Sequence, residues 1–524
     1  MAGKGQSPGE IYKQLERKRQ PFLDRARDSA ALTLPSLLPP SGFSDSSDLQ
    51  QPLQSLGSRG CNTLASKLLL SLLPPGGQQW FELAVDEQAV EVLTGQNIDE
   101  TRMEESFREI TRAVHEYVET TSLRVSVWEA LRHLIVTGNA VLHCSPAGNR
   151  VFRLDEFVIE RDPRGNLELI ITREKINPMV LPEELRAVAM RNDNSLDADW
   201  EKSVELYTCV KRKDDQSFIQ FQEVAGQIVP GSEVGFLEDE SPWIALRMVS
   251  MSGESYGRGW IEESCYGDLR CMESLLESVT RAAAASAKVI FLVDPGSPTD
   301  PRELDKAPTG SIRQGRASDV QCVQVGKHAD LSVAMNTLAQ IRDRVESAML
   351  LKTAVQRDAE RVTRYELEML SRELDASLGG LLSALSAHLL NALVRRIIAM
   401  MRATGTLQGM EVYDMGLLRP KITVGLEQMG RFEELNRLDQ MLAGAAQNFG
   451  PSAMTYFNMP EYLARRAAAL GIDPEALIKT QEEVQEEQQA QMRMQMAQTL
   501  GPKAIEVGGE RMMDIMQNQA QGAG

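Results

Sequence analysis

Along most of this chain apolar residues recur every three or four positions, the spacing that lays one stripe along a helix. Ser7-Pro8-Gly9-Glu10 has the form of a capping box with Pro at the first helical position. It starts a charged helix that runs to about Leu32, with Ile11, Leu15, Phe22 and Leu23 on its apolar side and a kink expected at Pro21. A second helix is expected from about Leu53 to Leu73, ended by Pro74-Pro75-Gly76-Gly77, and Trp80 to Val85 alternates like a strand. Asn97 to Ser122 and Val125 to Val136 read as helices, the latter ended by Gly138. From Val141 to Val249 the period falls mostly to two. One hairpin is expected around Asp162-Pro163-Arg164-Gly165-Asn166 and another around Lys213-Asp214-Asp215, with a short helix near Pro182 to Met190 between them.

The stretch from Trp243 to Arg364 has a different design. A strand over Trp243 to Val249 leads through a Gly-rich turn (Gly253, Gly257, Gly259) into a helix striped by Ile261, Cys265, Leu269, Met272, Leu276 and Val279. A Pro- and Gly-rich insert follows at about 288 to 327, opening with Val289 to Val293 and closing with Val320 to Val325 as short strands. A second helix carries Leu331, Met335, Leu338, Ile341 and Val345. Two helices that leave and return around an insert describe a stalk carrying a small head. A unit of this size buries little core alone, so either it packs on its own chain or, the favoured reading, it pairs with copies of itself in neighbouring chains, for instance by strand addition. A polar loop with Lys352, Arg357, Arg361 and Arg364, and also Asp358 and Glu360, closes the stretch.

Tyr365 to Arg402 gives the longest stripe, from Leu367 through Leu374, Leu378, Leu382, Leu385, Leu389 and Leu393 to Ile397. One helix of about 38 residues, about 57 Å long, is expected, with a kink at Gly379-Gly380. Lys421 to Val424 is a short strand, Arg431 to about Ala497 is again helical, and the last residues are polar and expected to be disordered. The fold class is α+β and helix-rich.

Composition narrows the function classes. The formal net charge is -18, which argues against a basic surface gripping nucleic acid and suits a passage that repels it. The six cysteines (61, 144, 209, 265, 271 and 322) form no C-x-x-C pair and are expected to be reduced, buried thiols. The five histidines are isolated, so no metal site and no cofactor are expected, and no phosphate-binding glycine motif is present. The N-terminus lacks the apolar region of a signal peptide, and no run approaches the roughly 18 apolar residues that span a bilayer. A soluble protein without membrane contact is expected.

One catalytic pattern matches. Gly253-Glu254-Ser255-Tyr256-Gly257 fits G-x-S-x-G between a strand and a helix, as a serine nucleophile would require. The remaining chain lacks the alternating strands of a hydrolase, so the favoured reading is a turn with Ser255 as a helix cap and no catalytic residue. A serine hydrolase using Ser255 is the alternative, as is a different structural ring protein.

Several stretches together resemble the portal, or head-to-tail connector, proteins of short-tailed bacteriophages. They are Arg59-Gly60 with Asn62 and Leu64 to Leu68, Glu129 to Leu131 through Gly138-Asn139, Gly253 to Arg258, Gly267 to Arg270, Ala354 to Arg357 with Glu360 to Thr363, and Glu373-Leu374 through Gly380. The resemblance implies a portal fold assembled as a ring, expected to be a dodecamer, at one capsid vertex of the virion, made in the host cytoplasm. It implies a wing over 1–250, stem helices over 251–287 and 328–348, and a clip over 288–327. It further implies a channel loop over 349–364, a return to the wing over 365–430, crown helices over 431–495 and a flexible tail over 496–524. Lys352, Arg357, Arg361 and Arg364 would then touch double-stranded DNA in the channel without reading its sequence. Arg302, Lys306, Arg313 and Arg316 would belong to the end that meets the terminase and then the tail adaptor proteins. Major capsid, scaffold and internal core proteins are the other implied partners.

Overall fold

The computed structural model describes residues 7–44, 47–75, 80–81, 83, 100–180, 186, 203–286, 290–296, 300–312, 316–323, 328–351, 374, 376–378 and 380–406, with scattered positions from 438 to 466. The chain divides into two compact units, Met1–Gly76 with Trp80–Gly425, and Gly77–Gln79 with Leu426–Gly524.

The first unit opens with α1, Pro8–Ala31. Its capping box is formed: Ser7 Oγ accepts the N–H of Glu10 and the Glu10 carboxylate accepts the N–H of Ser7, each at 3.3 Å. Pro21 lies inside the helix without ending it. Arg19 is almost wholly buried, and its guanidinium donates to Tyr12 Oη and to the carbonyls of Asp155 and Phe157 while pairing with Glu16 at 3.1 Å. A buried cation satisfied in this way fixes α1 on the strands that follow. Helices α2 (Leu56–Leu72), α3 (Glu100–Thr120) and α4 (Leu123–Thr137) build the main core, with Leu64, Leu68 and Leu72 packed among Val127, Leu131 and Leu134. Gly138 ends α4 with φ 77, the left-handed conformation a glycine adopts without strain. Trp80 and Phe81 are buried in the same core but form no strand, and most of the remainder of the expected strand lies outside the described residues.

Two antiparallel sheets occupy residues 139–247. Strands β1 (Asn139–Ser145) and β2 (Gly148–Phe152) form a hairpin. Strands β3 (Phe157–Arg161) and β4 (Leu167–Ile176) form another, with Asp162 and Asn166 closing the turn as the sequence requires. Then come β5 (Val204–Arg212), β6 (Ser217–Val224), β7 (Gln227–Ile228), β8 (Val234–Leu237) and β9 (Trp243–Arg247). The order β3-β4-β5-β6-β7, with β8 also on β6, makes the larger sheet, whereas β9 returns to β1 in the order β2-β1-β9. The short helix expected over 182–190 falls almost entirely outside the described residues.

After β9 come α5 (Trp260–Ser264) and α6 (Tyr266–Ser286), where one helix was expected. They are separated at Cys265, whose φ of -147 is not helical, and Ser264 Oγ turns back to the carbonyl of Trp260 at 2.5 Å. Strand β10 (Ile290–Val293), helix α7 (Pro301–Asp305) and strand β11 (Val320–Val323) form the insert, and α8 (His328–Ala348) returns alongside α6.

The long stripe is also interrupted. Gly380 takes φ 83, so the chain leaves the helical conformation there rather than bending within it. Helix α9 (Leu381–Leu385) then runs through a π-turn, Ser386–Leu390, into α10 (Asn391–Ala403). Leu385, Leu389, Leu393 and Ile397 all remain buried. Three consecutive steps of four overshoot a regular helix by about 40° each, and the wider π-turn absorbs part of that drift. Leu381–Ala403 is, by length and composition, apolar enough to cross a membrane, contrary to the expectation above, but half of its most apolar window is buried in this unit. The strand at Lys421 to Val424 and most of the helices after Arg431 lie outside the described residues. In the second unit Tyr462 hydrogen-bonds Asp439, and Arg466 pairs with the same carboxylate at 3.7 Å.

Candidate functional site

The stalk and head are present in the fold. Cys265, Leu269 and Met272 on one side and Ile341, Val345 and Met349 on the other are buried in the main core, so the pair is rooted there. Farther along, Val333 and Met335 on α8 are exposed at 67% and 55%. A 21-residue helix such as α6 is about 30 Å long. The pair is tied near its root by Arg344 to Asp268 at 2.5 Å and by Trp260 Nε1 donating to the carbonyl of Ala348 at 3.1 Å.

At the far end of the pair, β10 and β11 pair with each other, Phe291 opposite Cys322 and Val293 opposite Val320. The insert therefore makes its own two-stranded sheet. Asp300 caps α7 by accepting the N–H of Arg302 at 2.9 Å. Leu292, Leu304 and Ile312 are exposed, Ile312 at 98%.

Arg302, Lys306 and Arg316 are all exposed on this head, as expected, and Arg313 lies outside the described residues. Sequence reading singled out the basic residues, yet Asp294, Asp300, Glu303, Asp305 and Asp319 share the same insert. The head is a mosaic of both signs and not a basic patch. Lys352, Arg357, Arg361 and Arg364 lie outside the described residues.

The described chain ends its stalk in a specific way. Leu350 has φ 54, unusual for a side chain other than glycine. Lys67, itself buried, reaches from α2 to donate to the Leu350 carbonyl at 2.5 Å. Gly60 lies against Met349 so closely that an added Cβ would stand 2.9 Å from it. These residues fix where the chain leaves α8, immediately before residue 352. Local periodicity gives no sign of them, although Gly60 and Lys67 fall within the stretches that carry the family resemblance.

The Gly253–Gly257 turn has a structural job. Ser255 is not a helix cap, because Gly259 occupies that position. Ser255 Oγ instead accepts the backbone N–H of Arg161 at 3.3 Å. Among the described residues no histidine hydrogen-bonds Ser255, and no group of three metal-ligating side chains is placed to hold an ion. Of the cysteines, 61, 144, 209 and 265 are buried and Cys271 is exposed. Burial pushes the Cys61 thiol up to about 12 and the Cys265 thiol up to about 11, which keeps both protonated.

Comparison with known proteins decides the family. Residues 8–478 match the family described as bacteriophage head to tail connecting protein. The chain belongs to that family. Among its connector relatives, the portal protein of Escherichia phage T7 is 35% identical over 505 residues, 95% of this chain and 92% of the relative. The portal protein of Enterobacteria phage T3 is 35% identical over 504 residues, 95% of this chain and 92% of the relative. That of Pseudomonas phage phiKMV is 27% identical over 485 residues, 90% of this chain and 92% of the relative. Among solved structures, the neck of an empty GTA particle resembles the chain at 12% identity and a TM-score of 0.36, covering 80% of this chain and 91% of that one.

Proposed function

We propose that this connector-family chain is a portal subunit. Copies form a ring at one capsid vertex, and double-stranded DNA passes through its channel during packaging and ejection. The observation that carries this reading is the identity of 35% across 95% of the chain to the T7 portal protein. The fold supports it: the stalk is rooted in the core and leaves apolar side chains exposed along its length, as a helix pair meant to line up beside copies of itself would.

The regions follow the same assignment. Residues 1–250 and 365–430 form the wing, 251–287 and 328–348 the stem, 288–327 the clip, 349–364 the channel loop, 431–495 the crown and 496–524 a tail. Lys352, Arg357, Arg361 and Arg364 face the lumen and meet phosphates, contacts that carry no sequence information. The clip, with Arg302, Lys306, Arg313 and Arg316, docks first the terminase and then the tail adaptor proteins. Its mixed charge favours recognition by shape and paired charges over attraction to an acidic surface. The role is structural and non-enzymatic. Cryo-electron microscopy of the assembled chain tests the reading: a ring should appear, most simply a dodecamer, with residues 352–364 on the channel wall. Those side chains buried between subunits would refute the loop assignment.

A further inference from the structure

Two arginines in the first unit lie together with no carboxylate partner among the described residues. Arg161 ends β3 and Arg247 ends β9, and their guanidiniums meet at Gly165. Arg161 Nη1 donates to the Gly165 carbonyl at 2.9 Å, and Arg247 Nη2 stands 3.0 Å from where a Cβ on Gly165 would lie. Their other hydrogen bonds also go to neutral carbonyls, Arg161 to Ala245 at 3.0 Å and Arg247 to Glu254 at 2.8 Å. Neither pairs with a carboxylate among the described residues, whereas nearby Arg258 pairs with Glu254 at 3.2 Å and Arg212 with Glu238 at 2.8 Å. The π-turn packs against β9, and burial, then the charges of Arg161 and Arg247, hold the His388 imidazole below its ordinary value. Burial, and then the charge of Arg247, holds the Arg161 guanidinium down at about 10. Two partly buried like charges of this kind are unfavourable until an anion joins them. π-turns inside helices often mark such functional positions.

We infer that Arg161, Arg247 and His388 form an oxyanion site that a carboxylate from a second copy of this chain fills in the assembled ring. Strands β3 and β9 supply the two cations and the π-turn supplies a neutral imidazole, and the guanidinium fork matches a carboxylate in two parallel bonds. The occupant follows from charge: with 74 Asp and Glu against 56 Lys and Arg, an identical neighbour offers acidic side chains in excess. The inference rests on the ring reading, but the two can fail separately.

The test compares assembly of the full-length wild-type chain, Arg247→Gln and His388→Gln by mass photometry across protomer concentration. Arg247→Gln should raise the concentration of half-assembly by about tenfold or more, with a smaller rise for His388→Gln. Inorganic phosphate at fixed ionic strength should weaken wild-type assembly by competing for the site, and should affect Arg247→Gln less. Unchanged assembly in both variants, or phosphate that strengthens wild-type rings, would overturn the inference while leaving the ring intact. A wild-type chain that stays monomeric would overturn both readings. If Arg247→Gln misfolds, a map of the wild-type ring decides: a neighbour's carboxylate beside Arg247 supports the site, and solvent or a duplex phosphate there overturns it.

Discussion

The side-chain amide of Asn139 and the backbone of Gly257 pair in both directions, although 118 residues separate them. Asn139 Nδ2 donates to the Gly257 carbonyl at 2.8 Å, and the Gly257 N–H donates to Asn139 Oδ1 at 2.7 Å. Around this pair the backbones approach so closely that a Cβ on Gly138 would stand 2.3 Å from the Arg258 carbonyl carbon, and one on Gly259 2.6 Å from the Val136 oxygen. The Gly-rich turn is thus a clasp between the end of α4 and the root of the stalk.

Breaking that clasp should cost folding stability and not chemistry. Asn139→Ala leaves a buried N–H and a buried carbonyl without their partner and should cost about 2–4 kcal/mol, read from denaturant midpoints. Ser255→Ala should change stability by about 1 kcal/mol or less, and Ser255 should stay unlabelled by a fluorophosphonate probe. Rapid labelling there would revive the hydrolase reading.

Lys67→Met should loosen the exit of α8. The substitution keeps the length of the side chain and removes the donor to Leu350, so the left-handed conformation at Leu350 loses a buried hydrogen bond. A stability loss of about 1–2 kcal/mol is expected, with faster limited proteolysis just after Leu351. Leu350→Gly should relieve the backbone strain of a non-glycine residue at φ 54 and should not reproduce the effect of Lys67→Met by the same route.

Acid should destabilise the first unit in a defined window. Burial, with Arg153 and Arg132 adding to it, lowers His133 to about 4, and burial does the same to His143 and His115. These imidazoles are neutral in the folded chain, whereas the unfolded chain takes up protons near the ordinary value of about 6.5. Their stability is therefore fully present above about pH 6.5 and is lost progressively as the pH falls toward 4. For His133, only 1% exposed, the loss should reach about 2 kcal/mol at pH 5. Urea midpoints at pH 7.5 and pH 5 should differ accordingly, and His133→Gln should reduce the difference.

Charge reversal distinguishes the proposed channel loop from the proposed clip. Arg357→Glu with Arg361→Glu should leave rings intact and impair DNA passage. Arg302→Glu with Lys306→Glu should spare rings as well and impair docking of the terminase or adaptor. Packaging assays on assembled heads distinguish the two, and normal packaging and tail attachment in both would contradict the residue assignments.

Much of this fold was legible because the signals are local. The Ser7–Glu10 box, the Gly138 terminator, the Asp162–Asn166 turn and the stalk around its insert each depend on residues close in sequence. What escaped depends on distance or on backbone register. The Asn139–Gly257 clasp and the Lys67–Leu350 bond join residues far apart in the chain, which no periodicity encodes. The break at Cys265 keeps its apolar stripe, so the pattern runs on while the helix does not. The π-turn did leave a trace, in the steps of four from Leu385 to Ile397, which a regular helix cannot hold on one face. In the insert, picking out Arg and Lys left aside the acidic residues interleaved with them.

If copies of this chain close into a portal ring, the mass of the purified assembly shows it. Native mass spectrometry of the full chain should give a single closed species at or near twelve times 58.1 kDa, with negative-stain images showing a central channel. A monomer near 58.1 kDa at every concentration, or open chains of indefinite length, would contradict it.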